Sequence, residues 1–380
     1  MPADSSLADF RGIGADWPRY LSAFASMIQS RLVTHRPFFL AHAVTFGCNS
    51  KCRTCSYWKL TPRMKEDLST EEVFRMLDEA YAAGMRAYYL FGGEPLVRKD
   101  VGALVTYARQ RGFLTTMNTN GSLLTGKAPS LRDLDVAFVS LDHPTAYHDE
   151  IRGRKGNFDE VIHGIGRLRE VAGSRIVLVT TISTLNFDVM ERMAQLAENM
   201  DVMISYNSVE PTLDFGLTDS QDSPNLQLGL TPAKLHEFYV TLLRLKQEGY
   251  PLMETEQVLR DFVEGRPWKC EFPKMFLYVS PDKKIYSCDY KYGYDLKRGS
   301  FEEYFASPTF RTHIRDAERC NKCVRTCVRG YSYAYDLKLR NLVSLAGDAR
   351  TLFREGVPNQ ASSPHRGPAI PTAVDSVIAH

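Results

Sequence analysis

The sequence predicts an α/β fold in which six parallel strands alternate with helices to form a partial barrel, followed by a smaller α+β unit. Three observations predict it. Short apolar runs recur between residues 41 and 206, amphipathic stretches separate them, and a cysteine-bearing stretch with a hairpin pattern follows over 266–355. The candidate strands are Ala41–Thr45, Ala87–Phe91, Leu114–Thr119, Val136–Leu141, Ile176–Ser183 and Val202–Tyr206. Repeated strand–helix units imply parallel pairing through right-handed crossovers. In such barrels, function lies at the carboxyl ends of the strands.

Each remaining element has its own local signal. Residues 1–40 form an N-terminal segment whose stretch 17–32 has helical periodicity, with Leu21, Phe24, Met27, Ile28 and Leu32 on the apolar stripe. That stripe is expected to pack over the outside of the barrel. Its polar face is not strongly basic, which speaks against a membrane-surface role. Ser69 and Glu72 make a capping box that opens a helix over Thr70–Ala83, and Gly84 closes it. Val101–Arg111 reads as a helix stopped by Gly112, and Phe158–Val171 and Phe187–Asn199 fill the later gaps. Residues 207–265 connect and complete the core. They begin with a polar, turn-rich stretch to residue 230, after which Thr231 caps a helix with Pro232 at its first position. The tail over 356–380 is rich in Pro, Ser and Ala and is expected to be disordered.

Composition narrows the class without choosing a partner. The 380 residues are 44% hydrophobic and 24% charged, as in an ordinary globular enzyme, and the net charge is only +2. No apolar run has transmembrane length, and Met1–Phe10 lacks the basic-then-apolar layout of a signal peptide. A cytoplasmic, reducing setting suits eight cysteines held mostly in two tight groups, and speaks against a disulfide framework. Contact with a membrane surface is a secondary expectation on localisation.

The first group is Cys48, Cys52 and Cys55, in the pattern C-x3-C-x2-C at the end of the first strand. This spacing lets one loop wrap three thiolates around one face of an iron–sulfur cube. The next cysteine is Cys270, so no nearby fourth ligand closes the cluster, and one iron is left open to a small molecule. A structural zinc is the alternative, although zinc sites usually pair cysteines as C-x2-C or add histidine. His42 lies within the strand and reads as a packed residue.

Polar residues recur where the next strands end. The second ends in Phe91-Gly92-Gly93-Glu94-Pro95, where two glycines permit a sharp turn and close approach, and an acid can hold an ammonium group. The third ends in Thr119-Asn120-Gly121. The fourth ends in Ser140-Leu141-Asp142, with Arg152 following. Ser140 and Asp142 suit hydroxyl recognition, and the Arg152 fork suits a carboxylate.

These residues resemble the radical S-adenosylmethionine (SAM) superfamily in order and spacing over about residues 40–206: the three cysteines, Gly92-Gly93-Glu94-Pro95, Thr119-Asn120-Gly121, and Ser140-Leu141-Asp142 with Arg152-Gly153. The resemblance implies a partial (β/α)6 TIM-like barrel with a small C-terminal α+β iron–sulfur domain. It also implies a [4Fe–4S] cluster on Cys48, Cys52 and Cys55, and SAM bound through Gly92, Gly93, Glu94, Asn120, Ser140, Asp142 and Arg152. A flavodoxin- or ferredoxin-type reductant would supply the electron. One departure is Thr54, where the family often places an aromatic residue before the third cysteine.

The second cysteine group is Cys270, Cys288, Cys320, Cys323 and Cys327. Cys270 and Cys288 flank a hairpin pattern, Phe276–Val279 and Lys284–Tyr286. The layout resembles the auxiliary-cluster extensions called twitch or SPASM domains, which implies a second [4Fe–4S] cluster. The expected ligands are Cys270, Cys288, Cys320 and Cys323, with Cys327 a spare or alternative ligand. Five cysteines support only one such cluster, and zinc remains the alternative. Cys320-x2-Cys323-x3-Cys327 also resembles a motif of hopanoid-lipid enzymes of the superfamily, which points to lipid-like substrates.

Residues 282–340 carry thirteen Lys and Arg against eight Asp and Glu, with many tyrosines. This is either a solvated basic face or a pocket for an anionic small molecule or lipid head group. Nucleic acid is not expected, because no basic run interleaves with aromatics. Three functions stay open at this stage: an enzyme acting on a small molecule, lipid or cofactor precursor; a SPASM-type maturase of a ribosomally made peptide; and a non-catalytic iron–sulfur or zinc protein. The short helical segment before the first strand favours the first over the second. The third has no use for Gly92-Gly93-Glu94 or Arg152.

Overall fold

All six predicted strand–helix units form in the expected order, and a seventh parallel strand joins them. The computed structural model describes residues 16–209, 225–286, 293–320, 323 and 326–336. The expectations for the 356–380 tail, for residues 210–224 and for Cys288 fall outside the described residues. The strands are β1 (Phe39–Thr45), β2 (Ala87–Gly92), β3 (Leu114–Thr119), β4 (Val136–Ser140), β5 (Arg175–Ile182), β6 (Met203–Ser208), β7 (Phe276–Val279), β8 (Lys284–Tyr286) and β9 (Tyr294–Asp295). The helices begin with α1 (Trp17–Gln29), α2 (Thr70–Ala82), α3 (Val101–Arg111), α4 (Leu124–Lys127), α5 (Tyr147–Arg152), α6 (Asn157–Val171) and α7 (Met190–Asn199). They continue with α8 (Asn225–Leu228), α9 (Pro232–Gln247), α10 (Glu256–Val263), α11 (Phe301–Ala306), α12 (Pro308–Glu318) and α13 (Thr326–Tyr335).

The strands make one open sheet in the order β6-β5-β4-β3-β2-β1-β7-β8-β9. β1 to β6 pair in parallel, neighbour with neighbour, as helical crossovers require. β7 lies parallel to β1, with Phe39 opposite Phe276 and His42 opposite Val279. The C-terminal hairpin is thus continuous with the barrel sheet. β1 offers two pairing edges; β2 takes one and β7 the other.

Side-chain alternation divides the sheet into two faces. Leu40, Val44, Leu90, Met117, Val139, Leu178 and Ile204 pack in the main core with α2, α3, α6 and α7. Ala41, Ala43, Tyr89 and Phe91 point the other way, into the barrel interior, where separate clusters form. His42 is fully buried on the helix side, and its Nδ1 lies 2.9 Å from the Tyr88 hydroxyl.

The predicted caps form. Ser69 and Glu72 complete the capping box of α2, Gly112 ends α3 at φ 102°, and the Thr231 hydroxyl accepts from Lys234 N–H at the start of α9. The predicted helix over 187–199 divides into a 3-10 turn, Phe187–Val189, and α7. A long 3-10 segment, Tyr57–Glu66, follows the first cysteines and has no counterpart in the sequence pattern.

α1 packs with a different face from the one expected. Arg19 donates to the Phe113 carbonyl at 2.8 Å and ion-pairs with Asp135 at 2.9 Å, while the Ser26 hydroxyl donates to the Gly84 carbonyl at 2.7 Å. Leu21, Phe24 and Leu32, predicted to be packed, are exposed, and Met27 and Ile28 are half-buried. The charged and hydroxyl anchors fix the rotation of the helix, because a half-buried Arg must meet its carboxylate. Among the described residues no helix is long and apolar enough to cross a membrane.

Candidate active site

The three-cysteine loop leaves the carboxyl end of β1, and four other strand or helix ends clamp it. From β2, Gly93 N–H donates to the Thr45 carbonyl at 3.1 Å and Glu94 N–H to the Gly47 carbonyl at 2.8 Å. A Cβ on Gly93 would stand 2.0 Å from the Gly47 carbonyl oxygen, so this position requires glycine. The close approach expected of the two glycines is therefore made to the cysteine loop's own backbone. From β3, Asn120 Nδ2 donates to Asn49 Oδ1 at 2.9 Å and to Ser50 Oγ at 3.0 Å. From α5, Arg53 N–H reaches the Ile151 carbonyl at 2.8 Å, and Gly153 (φ 60°) passes so close to Lys51 that a Cβ would lie 2.3 Å from its oxygen. From the 3-10 segment, the Thr61 hydroxyl accepts from Cys48 N–H at 3.2 Å.

Glu94 is buried at the centre of this clamp. Its Oε1 accepts from Leu96 N–H at 3.0 Å and the Thr119 hydroxyl at 2.7 Å; its Oε2 accepts from Asn120 N–H at 2.6 Å. Burial raises its pKa, and these donors, with Arg152, offset only part of the rise. A carboxylate has roughly four acceptor positions, so Oε2 keeps one for a further donor.

Asp142 and Arg152 form a second buried pair. Arg152 Nε lies 2.7 Å from Asp142 Oδ2, a charge contact rather than a straight hydrogen bond. Asp142 Oδ1 accepts from Thr181 N–H at 2.9 Å. Burial works against the Arg152 charge, but Asp142 and the Cys52 sulfur outweigh it and hold the guanidinium charged. His148, fully buried behind them, accepts from Asp142 N–H at 3.0 Å and is kept neutral by burial and by Arg152. Ser140 ends β4 half-buried on the interior face.

The thiols themselves sit in a poorly solvated pocket. Burial pushes Cys48 up to about 11 and Cys55 up to about 12, and it also raises Cys52. Charge repulsion from Cys52 raises Cys48 further, and repulsion from Cys52 and Cys48 raises Cys55. Three thiols this crowded and this dry become thiolates only beside a strong positive charge, which is the condition iron supplies. The donor set thus fits a [4Fe–4S] cluster held on three sides.

Four of the five C-terminal cysteines lie in one region. Cys270 is buried in an apolar cluster with Phe38, Ala41, Phe272, Phe276 and Tyr335, and Cys320, Cys323 and Cys327 pack against that cluster. Among the described residues no group of three or more cysteine, histidine or acidic side chains is set to hold a single metal ion, and Cys288 is outside the described residues. α13 carries Cys327 between β6 and the paired β1 and β7, where Tyr331 meets Phe39 and Phe276. Its Thr326 hydroxyl donates to the Tyr206 carbonyl on β6, and its Ser332 hydroxyl accepts from Glu271 N–H at 3.2 Å. Phe91 links the two cysteine regions: it packs beside Cys55 on one side and within the C-terminal cluster on the other. Its ring lies 5.3 Å from that of Tyr89 and 5.5 Å from that of Tyr278.

The structure also shows supporting residues that the sequence motifs did not single out: Asn49, Ser50, Thr61 and Arg98. Arg98 is buried and donates to the Val44 and Leu68 carbonyls at 2.9 and 3.0 Å, holding the end of β1. The available signal was the polar pair Asn49-Ser50 inside a cysteine loop, where apolar filler would have served a plain metal staple.

Comparison with known proteins agrees with this geometry. Residues 43–199 match the Radical SAM superfamily. The AdoMet-dependent heme synthase of Oleidesulfovibrio alaskensis is 32% identical over 165 residues, 42% of this chain and 42% of that protein. The Fe-coproporphyrin III synthase of Methanosarcina barkeri is 33% identical over 158 residues, 39% of each. The match thus spans less than half the length of these curated relatives. Among solved structures, Streptococcus suis SuiB bound to S-adenosylmethionine superposes with a TM-score of 0.58 at 14% identity, covering 77% of this chain and 71% of that one. The anSMEcpe structure with bound AdoMet gives 0.58 at 16% identity, covering 83% and 98%. These two likenesses establish the fold.

Proposed function

Residues 43–199 match the Radical SAM superfamily, and from that premise we propose that the chain is a radical SAM enzyme that cleaves SAM reductively and acts on a small molecule, lipid or cofactor precursor. When bound, the [4Fe–4S] cluster and SAM supply a 5′-deoxyadenosyl radical able to remove hydrogen from an unactivated carbon. Cys48, Cys52 and Cys55 would hold that cluster. The remaining acceptor position of Glu94 Oε2 suits the ammonium of SAM, as does the carbonyl-rich turn at Gly92 and Gly93. Both oxygens of Asp142 are engaged in the structure, so its part is to hold Arg152 charged and aimed, with other guanidinium donors left for the SAM carboxylate. Ser140 suits the ribose. Asn120 keeps the cysteine loop and Glu94 in register.

Cys270, Cys288, Cys320 and Cys323, with Cys327 as a spare or alternative ligand, are the candidates to hold a second [4Fe–4S] cluster. The observation that carries the reading is Phe91, which packs both against the cluster beside which Cys55 lies and against the cluster that holds Cys270 and borders Cys320, Cys323 and Cys327. Tyr89, Phe91, Phe276, Tyr278 and Tyr331 make an aromatic wall, a surface suited to a flat, largely apolar substrate. The relatives at 32–33% identity are named for heme and Fe-coproporphyrin III, so a macrocyclic cofactor precursor is the first substrate to try. A flavodoxin- or ferredoxin-type protein is the expected electron donor.

The test is anaerobic reconstitution with iron and sulfide, reduction, and addition of SAM. The expected products are 5′-deoxyadenosine and methionine, with turnover rising when Fe-coproporphyrin III is added. Absence of 5′-deoxyadenosine from a protein with an intact, reducible cluster would overturn the proposal.

A further inference from the structure

Residues 251–254, between α9 and α10, run beside the outer edge of β6. Ile204 N–H donates to the Pro251 carbonyl at 3.0 Å, and Met253 N–H donates to the Ile204 carbonyl at 2.8 Å. A regular parallel ladder would next join Tyr206 N–H to the Met253 carbonyl. Instead the Glu254 side chain takes that N–H: its Oε1 accepts from Tyr206 N–H at 3.0 Å and from the Ser205 hydroxyl at 2.7 Å. The Tyr206 carbonyl is taken by the Thr326 hydroxyl of α13. A buried carboxyl thus sits in the gap between the edge of β6 and the start of α13.

The two oxygens of Glu254 are not alike. Oε1 has both acceptor positions filled. Oε2 is buried, and among the described residues it has no hydrogen-bond partner. An acid proton therefore belongs on Oε2, because Oε1 serves as the carbonyl-type acceptor. Burial raises the Glu254 pKa and favours that neutral form, and its hydrogen bonds offset only part of the rise. Glu94 is the contrasting case, since each of its oxygens has a donor. A buried hydroxyl without an acceptor is costly to keep, and a ligand oxygen would relieve that cost.

The surroundings say what kind of ligand. Tyr206 faces the helices, where its hydroxyl donates to the Met190 carbonyl at 2.6 Å, so its neighbour Ser205 faces the barrel interior. Tyr331 of α13 stacks near Phe276, ring centres 4.9 Å apart. Burial, then the charges of Cys327 and Glu254, raise its hydroxyl, and burial, then Tyr278 and Tyr331, raise that of Tyr89. The carboxyl therefore borders the space that the aromatic wall lines. Ser140 stands opposite Val179, and Val179 opposite Ser205. Ser205 is thus on the same row of the sheet as Ser140, two strands and about 10 Å away. That reach suits a ring system extending from Glu254 to the residues assigned to SAM.

We propose that Glu254 is a substrate-binding residue whose Oε2 hydroxyl donates to an oxygen, carboxylate or carbonyl, at the rim of a flat ligand lying against Tyr89, Phe91, Tyr278 and Tyr331. The assignment rests on the reading of the barrel interior as the substrate chamber.

The experiment uses the reconstituted full chain with SAM and no reductant, so that nothing turns over. Three probes are titrated by their own absorbance: Fe-coproporphyrin III, its tetramethyl ester, and Fe-octaethylporphyrin, which carries no oxygen. Glu254→Gln keeps the Oε1 acceptor and replaces the O–H donor by N–H; Glu254→Met removes both. The parent is expected to bind Fe-coproporphyrin III at least about tenfold more tightly than Fe-octaethylporphyrin. Glu254→Gln should stay within about threefold of the parent, and Glu254→Met should lose about tenfold for Fe-coproporphyrin III alone, with SAM affinity unchanged. An ester that binds like the free acid assigns the acceptor to a carbonyl; one that binds like Fe-octaethylporphyrin assigns it to a carboxylate; both support the site. Infrared difference spectra keep the test open should Glu254→Met fail to fold. Fe-coproporphyrin III should shift a protonated-carboxyl band in the parent, and that band should be missing in Glu254→Gln. No shift, or a shift that survives in Glu254→Gln, overturns the proposal. So does a parent that does not prefer Fe-coproporphyrin III, a Glu254→Met variant that binds it as the parent does, or a Glu254→Gln variant as weak as Glu254→Met, which would make Glu254 a charged acceptor. Absence of 5′-deoxyadenosine under reducing conditions is a separate result, which would strike SAM cleavage and leave this site standing.

Discussion

The two cysteine regions each gather several thiols, by different physical means. The first loop is fixed by directional contacts: backbone hydrogen bonds from Gly93 and Glu94, side-chain bonds from Asn120, and the buried Asp142–Arg152 pair. The second is fixed by ring packing around Phe272, Phe276 and Tyr331, with one helix laid across the top. Directional contacts in a dry site leave little tolerance, because each unmade bond costs a desolvated polar group. Apolar packing tolerates small shifts at lower cost. The first region is thus held to a fixed geometry, and the second tolerates small adjustments.

Several changes break or sharpen this contrast. The largest effect is expected from replacing Cys48, Cys52 and Cys55 together by Ala. SAM cleavage should vanish while about half the iron remains, read by iron analysis and 5′-deoxyadenosine assay. Loss of all iron would mean that the two regions are not independent. Arg152→Met should come next. It strands Asp142 as an uncompensated buried charge and should cost about 3–5 kcal/mol in urea unfolding. Gly93→Ala should cost about 1–3 kcal/mol and sharply reduce SAM cleavage, since the added carbon must displace the Gly47 carbonyl.

Acid should act through the strand the two regions share. Burial, aided by Arg98, holds His42 at about 3 in the folded protein, against an ordinary value near 6.5. The unfolded chain therefore binds a proton that the folded chain refuses. Stability from this source is complete above pH 6.5 and falls as pH drops towards 3, by about 2 kcal/mol between pH 7 and 5. Urea unfolding at both pH values should show the His42→Gln variant losing less than the parent by about that amount.

The contrast also explains what the sequence made legible. Cys48, Cys52, Cys55 and the Gly92-Gly93-Glu94 turn follow one another in short, regularly spaced motifs, because each sits at a strand end and the alternation of strands and helices sets their order. The partners that fix them were less visible. Asn120 and Glu94 are 26 residues apart yet share a 2.6 Å bond, which depends on β2 and β3 pairing in one register. The pairing of β7 with β1 was hidden for the same reason: a four-residue apolar run shows that a strand exists but not which edge it meets. The packed face of α1 was misread because apolar periodicity outranked two isolated anchors, Arg19 and Ser26, whose partners lie far away in sequence.

The smallest expected effect is also the most informative about the second region. Gly330 lies inside α13, between Cys327 and Tyr331, and a Cβ there would meet nothing within 4 Å. Glycine in a helix interior costs about 0.5–1 kcal/mol relative to alanine. Gly330→Ala should therefore stabilise the protein by that amount in urea unfolding, with iron content and SAM cleavage unchanged. This is the opposite sign from Gly93→Ala, and the difference follows from what each glycine faces: a carbonyl oxygen in one case, open space in the other. If Gly330→Ala instead lowers iron content, the space beside α13 is where the second cluster sits, and the glycine is there to admit it. The C-terminal region would then depend on close fit as strictly as the first, and the contrast between them would fail.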